Sequence, residues 1–103
     1  MEIVIQSHHA VVSEHMRERA RLAVMKVARR LARVGGAVVR FEQDGPQRRV
    51  EIVLRPVRSR SLVAEGRARF FGPALAAAIS RIEAQTRQLK RTPKARTRAL
   101  ARV

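Results

Sequence analysis

The spacing of the apolar residues changes from helical to strand-like at residue 37, and this change constrains the fold more than any other feature of the sequence. Upstream of it, apolar residues recur at intervals of three and four, which predicts an amphipathic helix. They are Met16, Ala20, Ala23, Val24, Val27, Leu31 and Val34. Ser13 is suited to cap the start of this helix, and Gly35-Gly36 predicts its end.

Beyond that point, two segments with alternating apolar residues predict half-buried strands at Ala37–Gln43 and Arg48–Arg55. Asp44-Gly45 between them is a hairpin signal. Because Pro46 follows, we expect the turn to be longer than two residues. Pro56 predicts the end of the second strand, since proline cannot donate a hydrogen bond to a strand ladder.

Three further elements complete the chain. Glu2–Gln6 is rich in apolar β-branched residues and predicts a first strand, and Ser61–Arg67 predicts a last one. Gly72-Pro73 opens a second helix, which we expect to end at Pro93. The apolar stripe of this helix consists of Leu75, Ile79, Ile82, Thr86 and Leu89.

The predicted order β-α-β-β-β-α indicates an α+β fold. A strand, a crossover helix and a second strand form a parallel pair, and the later strands add as an antiparallel meander. Two helices then pack on one face of a four-stranded mixed sheet, because only this arrangement buries both apolar stripes. Double-stranded-RNA-binding domains share the order of a helix, three strands and a helix. We expect one domain at residues 1–92, followed by a flexible basic tail at residues 93–103.

The charge of the chain indicates a polyanionic partner. There are 23 Lys and Arg against 8 Asp and Glu, for a formal net charge of +15 in 103 residues. Repulsion at this charge opposes a compact free chain, so nucleic acid is the first candidate partner and an anionic membrane the second. Most of the cations are arginines, whose planar fork engages phosphate bidentately.

The cations gather on the flanks of both predicted helices. Because the helices share a sheet face, we expect these flanks to form one basic surface that contacts RNA phosphates. The predicted RNA-binding residues are Lys26, Arg29, Arg30, Arg33, Arg81, Arg87, Lys90 and Arg91. The last twenty residues contain no acid, which argues against a merely solvated helix surface.

Other functional classes find little support in the sequence. The chain has no Cys, and three Phe are too few for a base-stacking sheet. His8-His9 and His15 are better explained as solvated side chains than as metal ligands. No catalytic constellation or glycine-rich phosphate loop occurs. The sequence therefore predicts a non-enzymatic protein without metal, cofactor, small-molecule substrate or membrane contact, located in the cytoplasm and monomeric when free.

Several motifs resemble the short ribosome hibernation-promoting factors, also called ribosome-associated inhibitor proteins, of the sigma-54 modulation type. The family's motifs correspond here to Ile5-Gln6-Ser7, Ser13-Glu14-His15-Met16-Arg17-Glu18, Lys26-Val27, Ala64-Glu65-Gly66, Ile79-Ser80-Arg81-Ile82 and Lys90. The family's Asp-Met-Tyr before the last helix is replaced by Arg69-Phe70-Phe71-Gly72-Pro73.

This resemblance implies binding to ribosomal RNA of the small subunit, in the channel that holds mRNA and tRNA. It implies a translation inhibitor that protects idle ribosomes, and it assigns RNA contacts to Lys26, Arg81 and Lys90. Two other functions stay open at this point. They are a general double-stranded-RNA-binding module and a regulatory module that binds a protein.

Overall fold

The computed structural model describes the main chain of residues 1–101 and the side chains of residues 1–89. Its elements follow the predicted order β-α-β-β-β-α. They are β1 (Glu2–His8), α1 (Glu14–Ala28), β2 (Val34–Asp44), β3 (Gln47–Pro56), β4 (Leu62–Ala68) and α2 (Phe71–Ala101). The strands form one sheet in the order β1-β2-β3-β4. The β1–β2 pair is parallel and the other pairs are antiparallel, which confirms the predicted mixed sheet.

One face of the sheet and both helices enclose a single core, which is aliphatic except for Phe41 and the adjacent Phe71. Strand register aligns Ile5, Val39, Ile52 and Ala64 in one row across the four strands. The apolar stripes of both helices cover this face. Among the described side chains, the buried helix residues are Ala20, Val24, Val27, Ala28, Ala74, Leu75, Ala78, Ile82 and Thr86. Burying these side chains is the main force that holds the helices on the sheet.

The start of α1 confirms the prediction, whereas its end does not. The Ser13 hydroxyl accepts a hydrogen bond from the Met16 N–H at 3.1 Å, as an N-cap does. The helix ends at Ala28 and not at Val34. Residues after it form a tight turn, in which the Leu31 N–H donates to the Ala28 carbonyl. Leu31 and Val34 still pack against the core, so the apolar pattern continues beyond the end of the helix.

The glycines predicted to end α1 instead lie in β2. A β-carbon at Gly36 would be 3.3 Å from the Glu2 carbonyl oxygen of the neighbouring strand. Pairing with β3 also shifts between Val34 and Gly36, as at a β-bulge. Glycine at this position therefore allows the two strands to approach closely. The prediction that these glycines form a helix C-cap was wrong.

The hairpin turn is shorter than predicted. Asp44 pairs with Gln47, so only Gly45 and Pro46 connect β2 to β3. Gly45 has a φ of 61°, a left-handed conformation that costs glycine little. A proline is tolerated next to it because a turn residue outside the ladder needs no N–H donor.

Helix α2 continues past its predicted end at Pro93 to Ala101. Pro93 has no N–H to donate, but its neighbours are mainly Ala, Arg, Lys and Leu, which favour helix. The predicted flexibility of residues 93–103 and the predicted contacts of Lys90 and Arg91 lie outside the fully described residues 1–89. They stay predictions.

Candidate nucleic-acid interface

The helix layer carries a large excess of positive charge. Within residues 1–89, the two helices and the turn after α1 contain nine cations against three acids. The cations are Arg17, Arg19, Arg21, Lys26, Arg29, Arg30, Arg33, Arg81 and Arg87, and the acids are Glu14, Glu18 and Glu83. A polyphosphate approaching this side meets a strongly attractive potential.

The opposite face of the sheet nearly neutralises itself. The strand positions that alternate with the core carry five carboxylates and four guanidinium groups. The carboxylates belong to Glu2, Glu42, Asp44, Glu51 and Glu65, and the guanidinium groups to Arg40, Arg49, Arg55 and Arg67. This face therefore offers phosphate little net attraction.

Arg49 lies at the centre of this compensated face. Its guanidinium contacts Glu42 at 3.3 Å and Glu51 at 2.8 Å, and it also donates a hydrogen bond to Glu65. The hydrogen bond to Glu65 raises the pKa of Arg49, and the same bond lowers the pKa of the Glu65 carboxyl. Charges held in such pairs are less available to a ligand than unpaired cations.

A shallow groove runs between α1 and α2 on the basic side. The two helices run side by side in the same direction, and the groove holds a cavity of about 340 Å³. Its lining residues are Arg19, Ala23, Leu75, Ala76, Ile79, Ser80 and Glu83. Lys26 lies about two turns beyond Arg19 on the same flank of α1, and Arg30 lies in the turn after the helix.

At the far end of the groove one acid bridges the helices. The Glu83 carboxylate lies 3.6 Å from the guanidinium of Arg30 and 4.0 Å from that of Arg87. The side chains of Arg30 and Arg87 are 40% and 57% exposed. They therefore stay accessible to phosphate although they share one counter-charge.

The structure brings only part of the predicted set together. Arg30 and Arg87 contact Glu83, which lines the groove, and helical spacing places Lys26 on the same flank of α1 as Arg19. Arg29 lies on the other flank of α1, where it lines a cavity with Met25. Arg81 lies on the β4 side of α2 and donates a hydrogen bond to the Glu65 carbonyl oxygen.

Arg33 also does not line the groove. It lines a second, larger cavity at the end of α1 together with Arg58. Arg58 lies in the connection between β3 and β4, where no periodicity marks a functional position. Arg19 was outside the predicted set, although its spacing of seven from Lys26 places both on one helix flank.

Other kinds of site are not assembled in the part of the chain that the structure describes. No group of three or more His, Asp and Glu residues among these positions could hold a metal ion. The rings of His8 and His9 contact each other at a centroid distance of 4.2 Å. No helix within the described residues is both long and apolar enough to cross a membrane.

Comparison with known proteins gave one family and several similar folds. A family model described as "Sigma 54 modulation protein / S30EA ribosomal protein" matches residues 3–94. No match was found among the curated proteins.

Two solved structures share the fold at low sequence identity. A ribosomal subunit interface protein from Coxiella burnetii has a TM-score of 0.72 and 15% identity, covering 87% of this chain and 98% of that one. The N-terminal domain of Thermus thermophilus Protein Y has a TM-score of 0.75 and 18% identity, covering 86% of this chain and 99% of that one.

Proposed function

The chain belongs to the sigma 54 modulation protein / S30EA ribosomal protein family of ribosome-associated factors, and we propose that it is a hibernation factor that inhibits translation by binding the small ribosomal subunit. The proposed ligand is the subunit's RNA. The proposed location is the channel that holds mRNA and tRNA. A domain seated there excludes both, so it needs no catalysis to stop translation.

The unequal charge of the two faces supports this proposal most strongly. Within residues 1–89, nine cations and three acids lie in the helix layer, whereas the sheet face pairs most of its own charges. Phosphate contacts from the helix layer release counterions, which makes binding strong and sensitive to salt. We infer that the helix layer faces RNA.

Two further properties follow from the same charge distribution. Because the chain has a net charge of +15, repulsion disfavours self-association, and we propose a monomer when free. Ribosome binding also implies a cytoplasmic location. The similar protein from Coxiella burnetii is named a ribosomal subunit interface protein, which is compatible with a site on a subunit surface.

Sedimentation with purified ribosomal subunits tests the proposal. The full chain is mixed with small subunits, large subunits or whole ribosomes and run through sucrose gradients at about 100 mM salt, where phosphate contacts still contribute strongly. We expect it to travel with small subunits and whole ribosomes, and to stay at the top with large subunits. Sedimentation with large subunits alone, or with neither subunit, would contradict the proposal.

A competition experiment separates ribosome binding from general duplex RNA binding. An excess of duplex RNA is added before the gradient is loaded. A factor that recognises the subunit's own surface stays bound, since duplex offers phosphates without the arrangement of the channel. Complete removal by duplex RNA would favour the general double-stranded-RNA-binding module instead.

A further inference from the structure

A second cavity, of about 530 Å³, lies where the turn after α1, the β3–β4 connection and α2 meet. Leu31, Ala32, Pro56 and Leu89 give it an apolar floor. Arg33, Arg58 and Ser59 supply its polar groups. This volume is within the range of pockets that hold small organic groups.

The two segments that carry these arginines are connected by a main-chain hydrogen bond. The Val57 N–H donates a hydrogen bond to the Arg33 carbonyl oxygen at 3.2 Å, which ties the turn after α1 to the β3–β4 connection. Arg58 directly follows this tie. Both arginine side chains are exposed.

Neither guanidinium is neutralised by an acid within the described residues. The ion pairs there involve other arginines. No Asp or Glu occurs after Glu83, so the rest of α2 supplies no acidic side chain either. An apolar floor beside two unpaired cations suits a ligand with one flat apolar part and one anionic part.

We propose that this cavity accepts one unpaired nucleotide of the bound RNA. The base lies against Leu31, Pro56 and Leu89, and its phosphate lies between Arg33 and Arg58. The assignment rests on the proposed function, because it takes RNA as the partner. Unpaired nucleotides are favoured over paired ones, since a base that leaves a duplex loses its stacking and pairing energy.

The position of the cavity agrees with this assignment. Leu31 directly follows Arg30, and Leu89 is two residues beyond Arg87. The cavity therefore lies at the same end of the helix pair as the contacts of Glu83 with Arg30 and Arg87. An RNA strand held by the groove phosphate contacts reaches the cavity without crossing the self-compensated sheet face.

Affinity for matched RNAs tests the proposal. Two RNA hairpins with the same number of nucleotides, and therefore equal charge, are compared. One has a fully paired stem, and the other has a single bulged 2-aminopurine in its stem. We expect the full chain to bind the bulged hairpin about tenfold more tightly, as one added charge-assisted contact and one buried base face would give. The 2-aminopurine fluorescence should rise on binding, because aliphatic side chains replace stacked bases. Equal affinities with unchanged fluorescence would overturn the proposal.

Arg58→Gln and Arg60→Gln form a matched pair of variants. Both remove one arginine from the same connection, but only Arg58 lines the cavity. The preference for the bulge should disappear in Arg58→Gln and persist in Arg60→Gln. Equal loss in both variants would show a general charge effect and would overturn the assignment.

Two further measurements distinguish an RNA site from a free-nucleotide site, and the cavity proposal from the proposed function. Adenosine monophosphate alone is titrated into the chain, and binding as tight as that of the bulged hairpin would indicate a free-nucleotide site and not an RNA site. The wild-type chain is also run on ribosome gradients. A retained bulge preference without ribosome binding would support the cavity and refute the proposed function. Ribosome binding without a bulge preference would support the proposed function and refute the nucleotide site.

Discussion

The carboxylate of Glu83 on α2 lies 3.6 Å from the guanidinium of Arg30, which follows the end of α1. This ion pair connects α2 to the turn after α1 at the end of the groove. Glu83 also lies 4.0 Å from Arg87, so one carboxylate serves two cations that we assign to the RNA-binding surface. In the proposed complex, RNA phosphates and Glu83 therefore compete for the same guanidinium groups.

Replacing this acid should tighten RNA binding. In Glu83→Gln, Arg30 and Arg87 no longer share a counter-charge, and we expect several-fold higher affinity at low salt. The free energy of unfolding should change by less than about 1 kcal/mol, because ion pairs at the protein surface contribute little. Fluorescence anisotropy with a labelled RNA and urea unfolding measure the two quantities.

Glu2→Gln is the matched control for this change. It removes the same charge from the sheet face that the helices do not cover. Its effect on RNA affinity should be clearly smaller. If both variants gained equally, net charge alone would explain the result and Glu83 would have no local role.

Gly66→Ala should destabilise the fold strongly. A β-carbon at Gly66 would lie 2.1 Å from the Ala74 carbonyl oxygen and 2.7 Å from the Ala78 nitrogen, both in the main chain of α2. Helix α2 can rest on β4 only because no side chain is present there. We expect a loss of about 3 kcal/mol in the free energy of unfolding, measured with urea.

Gly35→Ala provides the comparison for the close contact at Gly66. The nearest atom to a β-carbon there is the Arg55 carbonyl oxygen at 3.6 Å, an ordinary contact distance. Its effect on stability should stay below about 1 kcal/mol. A Gly66→Ala protein as stable as Gly35→Ala would contradict the packing of α2 on β4.

Glu65 should make stability depend on pH. Its hydrogen bond from Arg49 lowers the pKa of Glu65 in the folded chain below the usual value of 4.5. The folded chain therefore binds this proton less readily than the unfolded chain does. The resulting stabilisation is complete above a pH of 4.5 and is lost as the pH falls through the lower, folded pKa.

The Glu65→Gln variant isolates this contribution. Urea midpoints are measured for both proteins at about pH 7 and about pH 3, on either side of the ordinary carboxyl range. We expect the difference between wild type and variant to be larger at the higher pH, because the ion pair exists only while Glu65 is ionised. An equal difference at both pH values would argue against the stabilising pair with Arg49.

The sequence predicted the elements well where periodicity and capping agree. Ser13 marked the start of α1, and alternation in β2 and β3 identified the core-facing Val39 and Ile52. The prediction of element ends failed where one residue type suits two structural roles. Gly35-Gly36 suits both a helix end and a close strand approach, and only the position of Glu2 on the neighbouring strand distinguishes them.

The candidate site was less predictable, because it depends on which helix flanks face each other. Helical spacing predicted Lys26 and Arg30 on one flank of the first helix, whereas Arg30 lies in the turn after α1, where it contacts Glu83. It could not show that Arg81 faces β4 and not α1, since the sequence does not state the rotation of α2 on the sheet. Arg58 had no signal at all, because it lies in a connection between strands.

Contact of the helix side, and not the sheet side, with RNA phosphates is the central claim. Two double variants test it with equal charge changes. The helix-side variant combines Arg19→Gln with Lys26→Gln, and the sheet-side variant combines Arg40→Gln with Arg55→Gln. All four side chains are exposed and make no ion pair within the described residues.

The most direct measurement is the salt dependence of RNA affinity for the wild type and both variants. Each phosphate contact contributes about 0.7 to 0.9 to the slope of log K against log salt, and we expect a wild-type slope magnitude above about 4. The helix-side variant should lower this magnitude by about 1.4 to 1.8, and the sheet-side variant should leave it nearly unchanged. A larger loss in the sheet-side variant, or a wild-type slope near zero, would contradict phosphate binding by the helix layer.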